Sequence, residues 1–254
     1  MQLVKDWCDY NSLTINVSKT KMMYFSTRDD VQHRSVTLDD VNLQIVHSYK
    51  YLGITLDDEL SFQEQQMSTV KSLNSKIWLL RRLRPLLTQR ASITVLKAMI
   101  LPQIDSSLVF LAGRKQTDLY ALQVLQNMAI RICLKIDVPR EVHTDVIHSR
   151  TSVVKVESRL FYLQSIMCHR LVKRDGLALI ENRFTRAADG PLVKQINPHQ
   201  TRYSKNPMYK AIETWNSLPP ATRNVIEKNE FRTKIKNYIK GKFPLILPNP
   251  DHAP

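Results

Sequence analysis

The sequence predicts an α+β fold, a small antiparallel β part followed by a mainly helical remainder. Between Leu13 and Leu56 the apolar residues come in short runs separated by polar turns, which is the pattern of strands. From about Ser61 they recur at three- and four-residue spacing, which is the pattern of helices. The chain has 254 residues and 43% of them are hydrophobic, enough to build a core of ordinary domain size.

Taken in order, the residues up to about Asn11 carry Leu3, Val4 and Trp7 at helical spacing and read as the end of a helix whose start lies upstream of Met1. The β-type runs are LTINV, KMMYF, SVTL, VNLQIV and YLGITL, with Asp39-Asp40 as a hairpin turn between two of them. In the first predicted helix Val70, Leu73, Ile77 and Leu80 share one stripe, Lys71, Ser75 and Arg82 share the opposite one, and Pro85 ends it. Thr88 is the predicted N-cap of a second helix running to about Ile100, before Pro102, and Thr117 caps a third across TDLYALQVLQNMAIRICL. A fourth is expected over Val153 to Lys173, stopped by Asp175-Gly176. Residues 181 to 207 are poor in apolar side chains and hold Gly190, Pro191, Pro198 and Pro207, so they read as a linker or extended arm. Two helical segments, about Pro207 to Leu218 and Ile226 to Tyr238, are joined by PPATR and precede a fraying tail. The divisions that follow are 1–60, 61–175, 176–206 and 207–254.

A net charge of +14 points to polyanionic partners, nucleic acid or an acidic membrane surface. No apolar run approaches the length of a membrane span, and the N-terminus lacks the basic leader and apolar stretch of a secretory signal. Cys8, Cys133 and Cys168 are odd in number and scattered, which argues for reduced thiols in an intracellular setting, nuclear or cytoplasmic. Cys168-His169 and the pair His143/His148 have no further ligands at zinc spacing. The five glycines are too dispersed for a phosphate loop, and no nucleophile elbow is visible.

Two stretches carry a family resemblance. WCDYNSLTINVSKTKMMYFS, followed by VTLDDVNLQIVHSYKYLGITLDDELSF, resembles the region just after the catalytic hairpin in reverse transcriptases of non-LTR retrotransposons. Trp7, Asn11, Leu13, Asn16, Lys19 and Thr20 match that family's motif D; Tyr51, Leu52 and Gly53 match its primer grip, with Asp57 where the family often has an aspartate. RYSKNPMYKAIETWNSLPPATRNVIEKNEFRTKIKNYI resembles the closing segment of many such elements. The resemblance implies a palm remnant over 1–60, a thumb-like helical region over 61–175 and a C-terminal extension. It implies a chain derived from an RNA-directed DNA polymerase, whose intact form uses magnesium and deoxynucleotides to copy RNA into DNA.

In that reaction the leaving pyrophosphate gains charge, so a nearby cation or proton donor lowers the barrier; by resemblance Lys19 is the candidate general acid. Gly53 would let the backbone approach a primer sugar-phosphate and Tyr51 would pack under a nucleotide. The chemistry also needs two metal ions held by aspartates. The pairs Asp29-Asp30, Asp39-Asp40 and Asp57-Asp58 all follow the motif they should precede. Each has a threonine (Thr27, Thr37, Thr55) where the family has an aromatic two positions before the pair, so no metal ligand is expected. This chain is therefore expected to need no cofactor and to bind RNA or DNA at most. From Gln65 to Ile104 there is no acidic residue, yet Lys71, Lys76, Arg81, Arg82, Arg84, Arg90 and Lys97 are present, a candidate phosphate track. Two other readings stay open: a stand-alone basic interaction or structural module, and a product without a role.

Overall fold

Leu73, Ile77 and Leu80 are buried on one side of a long helix, α2 (Gln63–Leu83), as their spacing predicts, and Val70 packs beside them. The computed structural model describes residues 2–25, 35–38, 41–111, 116–136, 142–173 and 207–243, and it divides into two units, Met1–Ser68 and Thr69–Pro254. The readings of a linker over 176–206, of turns at Asp39-Asp40 and Asp175-Gly176, and of a fraying tail fall outside the described residues.

The first unit holds α1 (Gln2–Tyr10) and the strands β1 (Lys21–Met22), β2 (Thr37–Leu38), β3 (Val41–Asn42), β4 (Gln44–Ile45), β5 (Ser48–Tyr51) and β6 (Ile54–Asp57). The expected antiparallel sheet is instead three separate two-stranded ladders among the described residues. β2–β3 and β5–β6 are antiparallel and β1–β4 is parallel. The run LTINV forms no strand, because Asn16 turns the chain: its side-chain oxygen accepts from the Lys19 amide and caps a 3-10 turn over Val17–Lys19. Of the hydrophobic side chains described in this unit only Leu38 and Leu43 are buried, while Leu3, Val4, Trp7 and Tyr10 of α1 lie exposed. Two-stranded ladders without a shared apolar face are marginal on their own, which is why each stays short.

The second unit is helical: α3 (Gln89–Val95), α4 (Leu101–Leu111), α5 (Gln116–Leu134), α6 (Thr144–Thr151), α7 (Val156–Lys173), α8 (Pro207–Asn216), α9 (Pro220–Arg223) and α10 (Lys228–Lys242). Thr88 caps α3 by accepting from the Ala91 amide, as predicted. The expected stop before Pro102 does not occur. A π-helical segment, Leu96–Ile100, widens the helix there, and the Leu101 amide bonds back five residues to the Leu96 carbonyl. Pro102 is thereby absorbed as the second residue of α4 without ending the helix. The apolar stripe explains why the chain tolerates this: Leu96, Ile100, Ile104 and Leu108 are all buried at four-residue spacing straight through the proline.

The helix expected over Val153 to Lys173 is α7, preceded by the unforeseen α6, which ends at Ser152 in the left-handed conformation (φ 52°). Cores lie on both sides of α7. Leu160 joins the core of α2 to α5, while Phe161, Ile166 and Cys168 join Trp215, Phe231 and Ile235 of the C-terminal helices. Arg159 fixes α7 to α4 by a two-pronged bond to Asp105 at 2.8 and 2.6 Å.

A buried polar cluster fastens α6. The His148 ring is fully buried; its Nδ1–H donates to the Val153 carbonyl at 2.7 Å, and the carboxamides of Asn127 and Gln123 lie 2.8 and 3.2 Å from Nε2. Gln123 also accepts from the Val156 amide and Gln126 donates to the Val154 carbonyl, so α5 holds the whole α6–α7 connection. Burial, the largest influence, pulls the His148 pKa below its ordinary value, partly opposed by the Val153 bond. The unfolded chain then takes up this proton near pH 6.5 and the folded chain only at lower pH. Stability present above about pH 6.5 should decline below it by up to about 1.4 kcal/mol per pH unit until the folded pKa is reached. Denaturant midpoints measured from about pH 7.5 down to 5 would check this, and a flat profile would contradict a ring held neutral by burial.

Candidate nucleic-acid interface

Each unit carries part of the predicted site. In the first, the Lys19 turn is built by Asn16, whose side-chain oxygen also accepts from the Ser18 hydroxyl at 2.7 Å and whose carbonyl accepts from Thr20 at 2.9 Å. The Lys19 side chain is exposed. The turn meets the neighbouring hairpin where the Tyr49 hydroxyl donates to the Lys19 carbonyl at 3.4 Å. Lys21, two residues beyond the turn, donates from Nζ to Gln44 at 2.7 Å across the β1–β4 ladder.

Tyr51, Leu52 and Gly53 form the tip of the β5–β6 hairpin, with Tyr51 paired to Ile54 across a two-residue turn. Leu52 (φ 48°) and Gly53 (φ 86°) both have positive φ, the requirement of the type I′ turn that matches the twist of paired strands. Gly53 is suited to this, whereas Leu52 adopts a conformation its branched side chain disfavours. Leu52 is 83% exposed and Tyr51 59%, and a Cβ built on Gly53 would meet nothing within 4 Å. The tip is open to a ligand.

Asp57 and Asp58 sit just past this tip and are engaged elsewhere. The Asp57 carboxylate accepts from the Ser61 and Phe62 amides, both at 2.6 Å, ahead of the first turn of α2, and Asp58 lies 2.6 Å from His47 Nδ1. An anion placed ahead of a helix start satisfies free amides and the helix dipole, so Asp57 serves as a helix-starting device while Asp58 is turned to His47. Cys168 and His169 are likewise structural. Burial pushes the Cys168 thiol up to about 12, and the His169 ring stacks on Phe231 at 4.1 Å while sitting 3.0 Å from the Val225 carbonyl.

In the second unit the seven predicted cations separate. Lys71, Arg81 and Arg82 are exposed along α2. Arg90 and Lys97 are exposed too, and together with Gln89, Ile93 and Thr94 they line one shallow depression. Lys76 is half-buried and donates to the Met99 carbonyl in the π-helical segment at 3.2 Å.

Arg84 does not belong to an exposed track. It is only 8% exposed, and its Nε donates to the Ile132 and Cys133 carbonyls at 3.1 and 3.0 Å while Nη1 donates to Leu87 at 2.7 Å. The last carbonyls of a helix have no partner within it, and a guanidinium placed there satisfies them and complements the dipole. Arg84 is thus the C-terminal clamp of α5.

One side chain that the sequence reading passed over stands in the exposed stripe. Trp78 is 57% exposed, and the Arg82 guanidinium lies 4.8 Å over its ring. Its signal was positional: residue 78 lies off the stripe of Leu73, Ile77 and Leu80 and on the face of Lys71 and Arg82.

No family model, curated protein or solved structure matches this chain. Among the described residues no group of His, Cys, Asp and Glu is arranged to hold a metal ion, and no helix is long and apolar enough to cross a membrane.

Proposed function

We propose that this chain is a C-terminal segment of a non-LTR retrotransposon reverse transcriptase that lacks the catalytic aspartates and binds RNA or DNA without copying it. The observation that carries the reading is the acid-free stretch from Gln65 to Ile104, from which Lys71, Arg81, Arg82, Arg90 and Lys97 reach solvent. The order of the Lys19 turn, the Tyr51-Leu52-Gly53 tip and the basic helices supports it, since the resembled family has motif D, primer grip and thumb in that order. On this reading Lys19 faces the pyrophosphate side of an active site completed by other residues, and the hairpin tip contacts a primer. The site of action would be the nucleus or cytoplasm, and magnesium would belong to the intact polymerase.

Binding to phosphates releases counterions, so affinity for a labelled RNA or DNA of about 20 nucleotides should fall linearly on a log–log plot against salt, by about 0.7 to 0.9 per phosphate neutralised, with little dependence on sequence. Affinity that holds constant from about 50 to 200 mM salt would overturn the proposal. That outcome would favour the second reading, a basic helical module that binds protein. Its support is that Arg84 and Lys76 bond internal carbonyls.

A further inference from the structure

From α2 we infer a base-stacking platform for single-stranded nucleic acid, formed by Trp78 with Arg82; it rests on the nucleic-acid reading above and names the form of ligand. A tryptophan with more than half its surface in water, on the solvent face of a helix whose other side is fully engaged in a core, has no role in packing that core. Its ring is nevertheless held, because the Arg82 guanidinium one turn later lies over it at 4.8 Å. Beside the indole is a shallow depression lined by Asn74, Ser75, Trp78 and Leu79. A planar base would lie there against an aromatic wall with the Asn74 carboxamide beside it, the Ser75 hydroxyl donating to the Lys71 carbonyl at 3.2 Å.

The surroundings select the occupant. Lys71 lies two turns before Trp78 on the same face, and Arg81 and Arg82 lie one turn after it, so cations flank the ring over about 16 Å of helix. No acidic residue occurs between Gln65 and Ile104 to offset them. A protein partner anchored on Trp78 would have to cover these charges, whereas a polyanion uses them. A duplex keeps its base faces stacked inside, so an indole on a convex helix face can stack only on bases of a single strand.

The test uses the full chain with two probes, an oligo-dT of about 12 nucleotides and a duplex of the same length. Trp78→Ala should weaken oligo-dT binding about five- to 150-fold, the range that loss of one base–aromatic stack implies, while its salt slope and its duplex affinity stay unchanged. Trp78→Phe should keep most of the single-strand affinity. Oligo-dT should quench the emission of the wild-type protein and not that of Trp78→Ala. Both variants should melt with the wild type because the side chain is exposed, and if Trp78→Ala melts lower the Phe variant and the quench decide. Equal loss on both probes, or no loss on oligo-dT, overturns the platform while leaving general nucleic-acid binding intact. Failure of the wild type to bind either probe removes both readings.

Discussion

Replacing Arg84 with methionine should lower stability by about 3 kcal/mol, because a hydrogen bond to a charged donor contributes about 1.5–3 kcal/mol and this side chain serves carbonyls at two places. Methionine keeps much of the apolar stem and removes the guanidinium, which takes the charged donor from the Leu87 carbonyl and leaves the Ile132 and Cys133 carbonyls with only the longer bonds from the Lys135 amide and the Ser92 hydroxyl. For a chain of this size the loss corresponds to a fall in Tm of about 6–12 °C. Lysine should restore little, since one ammonium cannot reach the three carbonyls that the planar fork spans. The salt dependence of nucleic-acid binding should be unaffected, because the side chain does not reach solvent. Thermal melting and a salt titration of the same variant decide the matter: an unchanged Tm with a slope reduced by about 0.7 to 0.9 would return Arg84 to the phosphate track.

That Arg84 departs from its neighbours was legible in phase, though not in composition. Counting along α2 and past its end, residue 84 falls four after Leu80, seven after Ile77 and eleven after Leu73, squarely on the buried stripe. Charge alone groups it with Arg81 and Arg82; periodicity separates it. The same principle explains Pro102. Its local rule says stop, but Leu96, Ile100, Ile104 and Leu108 continue the apolar repeat through it, and the helix follows the repeat by widening to a π turn.

Elements with strong local signals form where the sequence places them: the α2 stripe, its end before Pro85 and the Thr88 cap. The helices expected over Pro207 to Leu218 and Ile226 to Tyr238 also form, as Pro207–Asn216 and Lys228–Lys242, the second running a turn past its expected end, while PPATR between them coils into the short α9. Elements whose existence depends on distant partners do not announce themselves. α6 has only Val146 and Ile147 as apolar residues, and its anchor is the cluster of His148 with Gln123 and Asn127, more than twenty residues away in sequence. In the first unit, single side chains override β propensity, as Asn16 does within LTINV. YLGITL reads as a single strand run, whereas the chain turns at Leu52-Gly53 between β5 and β6; the left-handed Leu52 that makes the tip was not legible, since leucine carries no turn signal.

Changing Lys71, Arg81 and Arg82 together to glutamine should abolish most nucleic-acid binding at physiological salt while leaving the helix in place, since glutamine is close to lysine and arginine in helix propensity. Removing each phosphate-binding charge should flatten the log–log salt slope by about 0.7 to 0.9, so the three together amount to roughly 2 to 3 in slope. Lys76 is kept in this variant because its ammonium satisfies the Met99 carbonyl, and its removal would confuse binding with folding. The competing account is that Arg81 and Arg82 serve only the dipole at the end of α2, where both stand in the last turn. In that case the triple change should cost about 0.3 to 1 kcal/mol for each of those two charges and leave the slope alone. The two accounts therefore predict opposite pairs of readings. A flattened slope with a nearly unchanged Tm assigns the charges to nucleic acid; a lowered Tm with the wild-type slope assigns them to the helix. The first outcome is expected, because dipole compensation requires cations only in the last turn, and Lys71 stands three turns before it with no acidic residue between Gln65 and Ile104 to answer it.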